Sequence, residues 1–178
     1  MRIIAGSRKG ATIHAPKHAD TRPTGDRVRE AAFNLIGPVD DATVLDLYAG
    51  SGAMGLEALS RGAASAVFVE ADREACATIQ RNLVKLKLEG AQIVCRDALT
   101  ALAQEASAGR RYDLVLLDPP YAMYTDLQTR LAAYLPSVLA EDGLLVVETS
   151  RDLHPELPLP KRTSRRYGSA RVTLFEPA

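Results

Sequence analysis

Two short runs, Leu114-Val115-Leu116-Leu117 and Leu144-Leu145-Val146-Val147, are apolar at every position instead of at every second one. A strand with that pattern needs cover on both faces, which a parallel sheet between two helical layers supplies. From about residue 42 the whole chain alternates in the same way. Residues 44–48 predict a strand ended by the glycines at 50, 52 and 55, and residues 53–61 a short helix closed by Gly62. A second strand at 66–70 leads to a helix over 73–88, with Asp72 placed to cap it. A third strand at 92–95 is followed by a helix through about residue 106. The run at 114–117 is the fourth strand, 126–140 the next helix and 144–147 the fifth strand. Repeated β-α-β with links this short predicts an α/β, doubly wound, mostly parallel Rossmann-like sheet.

The two ends read differently. Beyond the proline-marked stretch 155–160, segments 162–167 and 171–176 meet through Gly168-Ser169 and predict a C-terminal antiparallel hairpin on the sheet edge. At the front, 2–5 and 11–15 around Gly6–Gly10 predict a small N-terminal β-hairpin, followed by a helix over 25–36. This divides the 178 residues into an N-terminal extension, 1–40, and a sheet domain, 41–178. Cys76 and Cys95 form no C-x-x-C, so neither a disulfide framework nor a zinc site is expected. Unpaired cysteines, no long apolar run and no signal-like start predict a cytoplasmic chain with no membrane partner. Nothing in the sequence requires an obligate dimer, and a monomer is expected.

Gly50, Gly52 and Gly55 fit G-x-G-x-x-G between a strand and a helix, with Glu70 twenty residues past Gly50. That is the fingerprint of a dinucleotide site, in which glycines let the backbone approach the ligand and the acid binds ribose hydroxyls. Two features pull away from a nicotinamide cofactor. Asp46 lies at the end of the first strand, where it would face a cationic or amine-bearing group, and Asp97 ends the third strand, where it would accept from an adenine amine. S-adenosylmethionine has no phosphates to repel these acids and offers an ammonium, a ribose diol and an adenine amine. The plainer alternative is that Asp46, Glu70 and Asp97 only cap strand ends.

The second motif is Asp118-Pro119-Pro120-Tyr121, directly after the fourth strand. Two prolines fix the backbone and remove two N–H donors, so the loop offers carbonyls and the Asp118 carboxylate as acceptors. Tyr121 adds a flat face. Acceptors beside an aromatic face suit a planar ring bearing an exocyclic amine. Hydrogen bonds to both protons of such an amine localise its lone pair and aim it at an electrophilic methyl group. Catalysis would then rest on positioning and electrostatics. A rigid loop that merely caps a strand is the alternative.

With both motifs in hand, the chain resembles the amino-group methyltransferases that use S-adenosylmethionine. The front narrows the resemblance. Met1 to Gly6, the block Arg22-Pro23-Thr24-Gly25-Asp26-Arg27-Val28-Arg29-Glu30-Ala31-Ala32-Phe33-Asn34, and Leu45 to Gly52 with Gly55-Leu56-Glu57-Ala58 are similar to the bacterial RsmD type. That family methylates N2 of one guanine in 16S ribosomal RNA. The resemblance implies a Rossmann-like methyltransferase sheet with S-adenosylmethionine as cofactor. It places Asp118, Pro119, Pro120 and Tyr121 at the target base. Asp46, Ala49, Gly50, Ser51 and Gly52 fall around the methionine part, Glu70 at the ribose, and Asp97 with Ala98 near adenine. The implied partner is 16S rRNA within the small ribosomal subunit. Other substrates of the same chemistry (transfer RNA, a DNA amino group, a protein glutamine) remain alternatives. So does, in another class, an oxidoreductase built on Gly50–Gly55, although no suitable histidine accompanies it.

The charge map bears on the RNA. Lys+Arg and Asp+Glu both number 22, and zero net charge taken alone points away from a polyanion. Residues 1–30 nevertheless hold seven bases against three acids, and residues 161–178 five against one, so each end carries +4 and the middle −8. Arg2, Arg8, Lys9, Arg22, Arg27, Arg29, Arg165 and Arg166 are the expected RNA contacts, since arginine grips phosphate in a bidentate fork. A solvated, ion-paired helix face, or an edge strand guarded by charge, explains the same residues without RNA. His14 and His18 stand four apart, but Pro16 lies between them and no metal site is expected. Tyr124 either stacks on a base with Tyr121 or packs beneath the loop.

Overall fold

The structure, a computed structural model, describes residues 1–17 and 25–178. One seven-stranded sheet runs in the order β3-β2-β1-β4-β5-β7-β6. The parallel strands are β1 (Thr43–Leu47), β2 (Ser65–Glu70), β3 (Ala91–Cys95), β4 (Tyr112–Leu117) and β5 (Leu139–Ser150). At the far edge β7 (Ala170–Phe175) pairs antiparallel with β5, and β6 (Lys161–Tyr167) pairs antiparallel with β7, as the terminal hairpin required.

The helices are α1 (Asp26–Ile36), α2 (Ala53–Ser60), α3 (Arg73–Leu86), α4 (Ala98–Ser107), α5 (Tyr121–Ala132) and α6 (Leu135–Val138). Strand alternation explains the unbroken apolar runs. Val44, Leu114, Leu144 and Val146 enter one core with Phe33, Leu56, Ile79 and Leu83 of α1, α2 and α3. Their neighbours Leu45, Val115, Leu145 and Val147 enter a second core with Leu99, Leu102, Tyr124 and Leu131 of α4 and α5. Each strand is thus buried twice.

Two expectations shift. The helix expected over 126–140 starts five residues earlier, at Tyr121, because the Pro120 carbonyl accepts the Met123 N–H at 2.9 Å and opens the first turn. It also breaks, and a separate short helix with proline in its first turn carries the chain into β5. At the front, the hairpin narrows to one antiparallel bridge, Arg2 with Thr12, over a 3-10 turn at Gly6–Arg8. Ile3 and Ile13 still pack into the α1–α2–α3 core beside Phe33, so the front shares that core with the sheet.

The topology creates one crevice. From β1 the chain works outward through β2 to β3, then returns to lay β4 on the other side of β1. The loops after β1 and β4 therefore diverge, and ligands of open α/β sheets bind at such a switch point. The glycine loop follows β1 and Asp118-Pro119-Pro120-Tyr121 follows β4, so both sequence motifs line it.

Candidate active site

The glycine loop is a backbone construction. Gly52 sits at φ +81° as the residue before α2, a conformation that L side chains rarely adopt. At Gly55 space decides: a Cβ would lie 2.4 Å from the Phe68 ring and 3.0 Å from Asp46 Oδ2. Tyr48 adopts φ +59°, a left-handed conformation costing roughly 1–3 kcal/mol, just ahead of the Ala49 N–H that donates to Val69 O at 3.0 Å.

Each glycine amide of the loop is already committed. Gly50 N–H donates to Glu70 Oε2 at 2.8 Å, and Gly55 N–H to Asp46 Oδ2 at 3.0 Å. Gly52 N–H donates to the Ala49 carbonyl at 2.8 Å. In a pyrophosphate site such amides face the ligand. Here two of the three serve carboxylates of the protein itself, and the loop does not fit a dinucleotide's phosphates. The surroundings suit a cation. Asp46 is buried, and burial pushes its carboxyl up to about 7 against the opposing bond from Gly55. A buried acid in that state gains most from a positively charged neighbour.

Glu70 joins two loops, its second oxygen accepting the Asp72 N–H at 3.0 Å. A carboxylate has about four acceptor positions, so both oxygens can still take hydroxyl donors. Asp97 is exposed at the start of α4, where Oδ2 accepts the Thr100 N–H at 3.0 Å. It is therefore a helix cap as well as an acid at the crevice rim. Ala98 beside it is buried. The Tyr48 hydroxyl is pushed up to about 12, first by burial and then by the charge of Asp97.

No motif points to Asn82, a fully buried side chain of α3. Its amide donates to Ser51 O at 3.1 Å and His14 O at 3.0 Å, and accepts the His14 N–H at 2.8 Å. It ties the glycine loop to the N-terminal segment. An asparagine inside an apolar helical stripe was the available signal, because burying that amide demands partners.

Across the crevice, Asp118 N–H reaches Leu47 O at 3.5 Å, which sets the loop against β1. Pro119 is buried and Pro120 precedes α5. Tyr121 is exposed on the first turn of α5, and its hydroxyl donates to Glu148 Oε1 at 3.2 Å. Glu148, near the end of β5, is a second residue that the sequence did not single out. Tyr124 is fully buried in the α4–α5 core and packs beneath the loop instead of stacking.

The basic residues separate. Arg2, Lys9, Arg27, Arg165 and Arg166 are exposed. Arg29 departs from the expectation of an RNA-facing side chain: it is fully buried. Its guanidinium donates to the Arg2 carbonyl and pairs with Asp26 at 3.0 Å and Glu57 at 3.5 Å. Glu57 also accepts the Ile4 and Ala5 N–H groups, so this buried network clamps the front of the chain onto α2. Arg8 is half-committed, donating to the Leu86 and Lys87 carbonyls at the end of α3, where a cation suits the helix dipole. Arg22 and His18 lie outside the described residues, and among those described no group of three or more His, Cys, Asp or Glu could hold a metal ion. No helix of the described residues is long and apolar enough to cross a membrane.

The chain matches the family described as "Conserved hypothetical protein 95" over residues 1–176. It is 41% identical over 150 residues to ribosomal RNA small subunit methyltransferase D of Escherichia coli, covering 84% of this chain and 74% of that protein. To YlbH of Bacillus subtilis, whose name carries a provisional rRNA methyltransferase assignment, it is 39% identical over 188 residues, covering 99% and 98%. A solved structure of a hypothetical protein from Thermus thermophilus superposes with a TM-score of 0.86 at 35% identity, covering 99% of each chain.

Proposed function

The chain belongs to the family described as "Conserved hypothetical protein 95", and from that premise we propose that it methylates the exocyclic N2 of a guanine in 16S ribosomal RNA, with S-adenosylmethionine as methyl donor. The observation that carries this reading is the meeting of two unlike walls at one switch point. One is a glycine loop whose amides are spent on its own acids, and the other is an acceptor-rich Asp118-Pro119-Pro120-Tyr121 turn. The relatives named as rRNA methyltransferases support the substrate class.

The residues present fit the donor. Asp46, a buried acid held by one backbone N–H, would take the ammonium of the methionine part, with Ala49, Gly50, Ser51 and Gly52 shaping the space around it. Glu70 would accept from the ribose hydroxyls, and Asp97 with Ala98 would border the adenine. When bound, S-adenosylmethionine supplies a sulfonium methyl open to direct displacement. On the other wall, Asp118 and the Pro119 carbonyl would accept the two protons of the guanine amine and orient its lone pair. Tyr121, already exposed, offers its ring to a base that has left its stack. Asp118 need not be a strong base, because the amine becomes acidic once methylated and its proton can leave late.

The exposed cations Arg2, Lys9, Arg27, Arg165 and Arg166, with Arg22, would meet phosphates, and residues 1–40 form the RNA-facing extension. With so few basic side chains beyond the two ends, a preassembled small subunit is the better substrate than naked RNA, and the protein acts as a cytoplasmic monomer. Labelled methyl transfer to naked 16S RNA, small subunits and DNA, side by side, tests the reading. Label in small-subunit RNA is expected; label in DNA alone overturns the substrate assignment.

A further inference from the structure

Glu148 has no part in the reading above, yet it stands at the target wall. In the ladder between β4 and β5, Leu117 lies opposite Val147, so Asp118 and Glu148 are the next residues along two neighbouring strands. Adjacent strands run about 4.8 Å apart, which puts the two carboxylate-bearing residues side by side at the crevice end of the sheet. Glu148 follows Leu144 and Val146 on the face of β5 that meets α1, whereas Tyr124 of α5 packs on the opposite face with Leu145 and Val147. The Tyr121 hydroxyl therefore reaches over the strand ends to Glu148.

An ionised carboxylate accepts hydrogen bonds and donates none. Adenine and cytosine carry a ring acceptor next to their exocyclic amine. Guanine alone among the standard bases places a ring N–H there, so N1–H and the N2 amine form one continuous row of donors. Two neighbouring acceptors match that row and mismatch the other two bases. We propose that Glu148 selects guanine by accepting its N1–H while Asp118 and the Pro119 carbonyl hold the N2 amine. The bond from Tyr121 also fixes the stacking ring to the group that reads the base edge. This inference rests on the guanine-N2 reading and supplies its specificity.

The test replaces guanine by 2-aminopurine, which keeps the amine at C2 but has an acceptor at N1. Wild-type protein is first used to map the methylated nucleotide in small subunits. Single-turnover rates are then compared on particles reconstituted with either base at that position. A charge-assisted bond predicts a wild-type preference for guanine of about 10–100-fold. In Glu148→Gln the carboxamide can donate to the N1 acceptor, so the preference should shrink to within about threefold, with S-adenosylmethionine affinity unchanged. Tyr121→Phe should slow both bases and keep the ratio. If Glu148→Gln does not fold, Glu148→Ala, which leaves no acceptor, must lose the preference as well. An intact ratio in the Glu148 variant, or equal loss of preference in Tyr121→Phe, overturns base selection by Glu148. If wild-type protein methylates no guanine in the particles, the functional reading itself falls, an outcome visible before any variant is made.

Discussion

The two walls of the crevice are built by opposite means. On the β1–β2 side, polar groups are locked into the protein: the amides of Gly50, Gly52 and Gly55 all have internal acceptors, and Asn82 holds the Ser51 carbonyl from below. On the β4–β5 side, two prolines take donors away and side chains stand outward, with Tyr121 37% and Met123 49% exposed. The first wall suits a small ligand of one shape. The second suits a group that arrives from a large partner, is held briefly and leaves. Which backbone hydrogen bonds are already spent thus distinguishes the two walls, and the proposed reading gives the cofactor to the first and the target base to the second.

If that division is right, variants of one wall should spare the function of the other. The largest effect is expected for Asp118→Ala: methyl transfer should fall by about 1,000-fold or more, while S-adenosylmethionine binding, followed by calorimetry, changes only a few-fold. A parallel loss of cofactor affinity would mean the walls are one site. Gly55→Ala is the counterpart. Its methyl has no room against Phe68 and Asp46, so stability should drop by about 1–3 kcal/mol in a urea titration, with loss of cofactor binding.

A pH series sharpens the contrast further. The carboxyl of Asp46 is raised to about 7 in the folded protein from an ordinary 3.8. Between those values the unfolded chain binds fewer protons, so this group's contribution to stability is present below about pH 4 and is lost as pH rises through 7. A cationic ligand favours the ionised form, so cofactor affinity should rise by up to about tenfold per pH unit below 7 and level off above it. Asp46→Asn should flatten both trends, and a slope that persists would show that Asp46 does not meet the cation. The smallest effect is expected at the edge strand: Arg166→Ala should weaken particle binding a few-fold and lower its salt slope by about one, with cofactor affinity untouched. Equal salt sensitivity of RNA and cofactor binding would contradict the charge map.

The elements that could be read from the sequence were those where one pattern has one physical meaning. The doubly apolar runs became β4 and β5, and the glycine spacing became the turn from β1 into α2. Where a pattern has two meanings, tertiary partners decided. Arg29 looks like any cation on a helix face, yet Glu57, twenty-eight residues on in sequence, draws it inside. The start of α5 was hidden because Pro119 and Pro120 read as a loop, whereas Pro120 is the residue before a helix. Asn82 and Glu148 have no motif at all. Their roles depend on which strands and loops come to lie beside them, and register cannot be read from one segment alone.

In the proposed reaction Asp118 orients a guanine amine toward a methyl held on the glycine-loop wall. Nucleoside mass spectrometry of small-subunit RNA, after incubation with the protein and methyl-labelled S-adenosylmethionine, tests it most directly. Label is expected in N2-methylguanosine alone, and none with Asp118→Ala. Label in N6-methyladenosine, or undiminished N2-methylguanosine from the Asp118 variant, would contradict it.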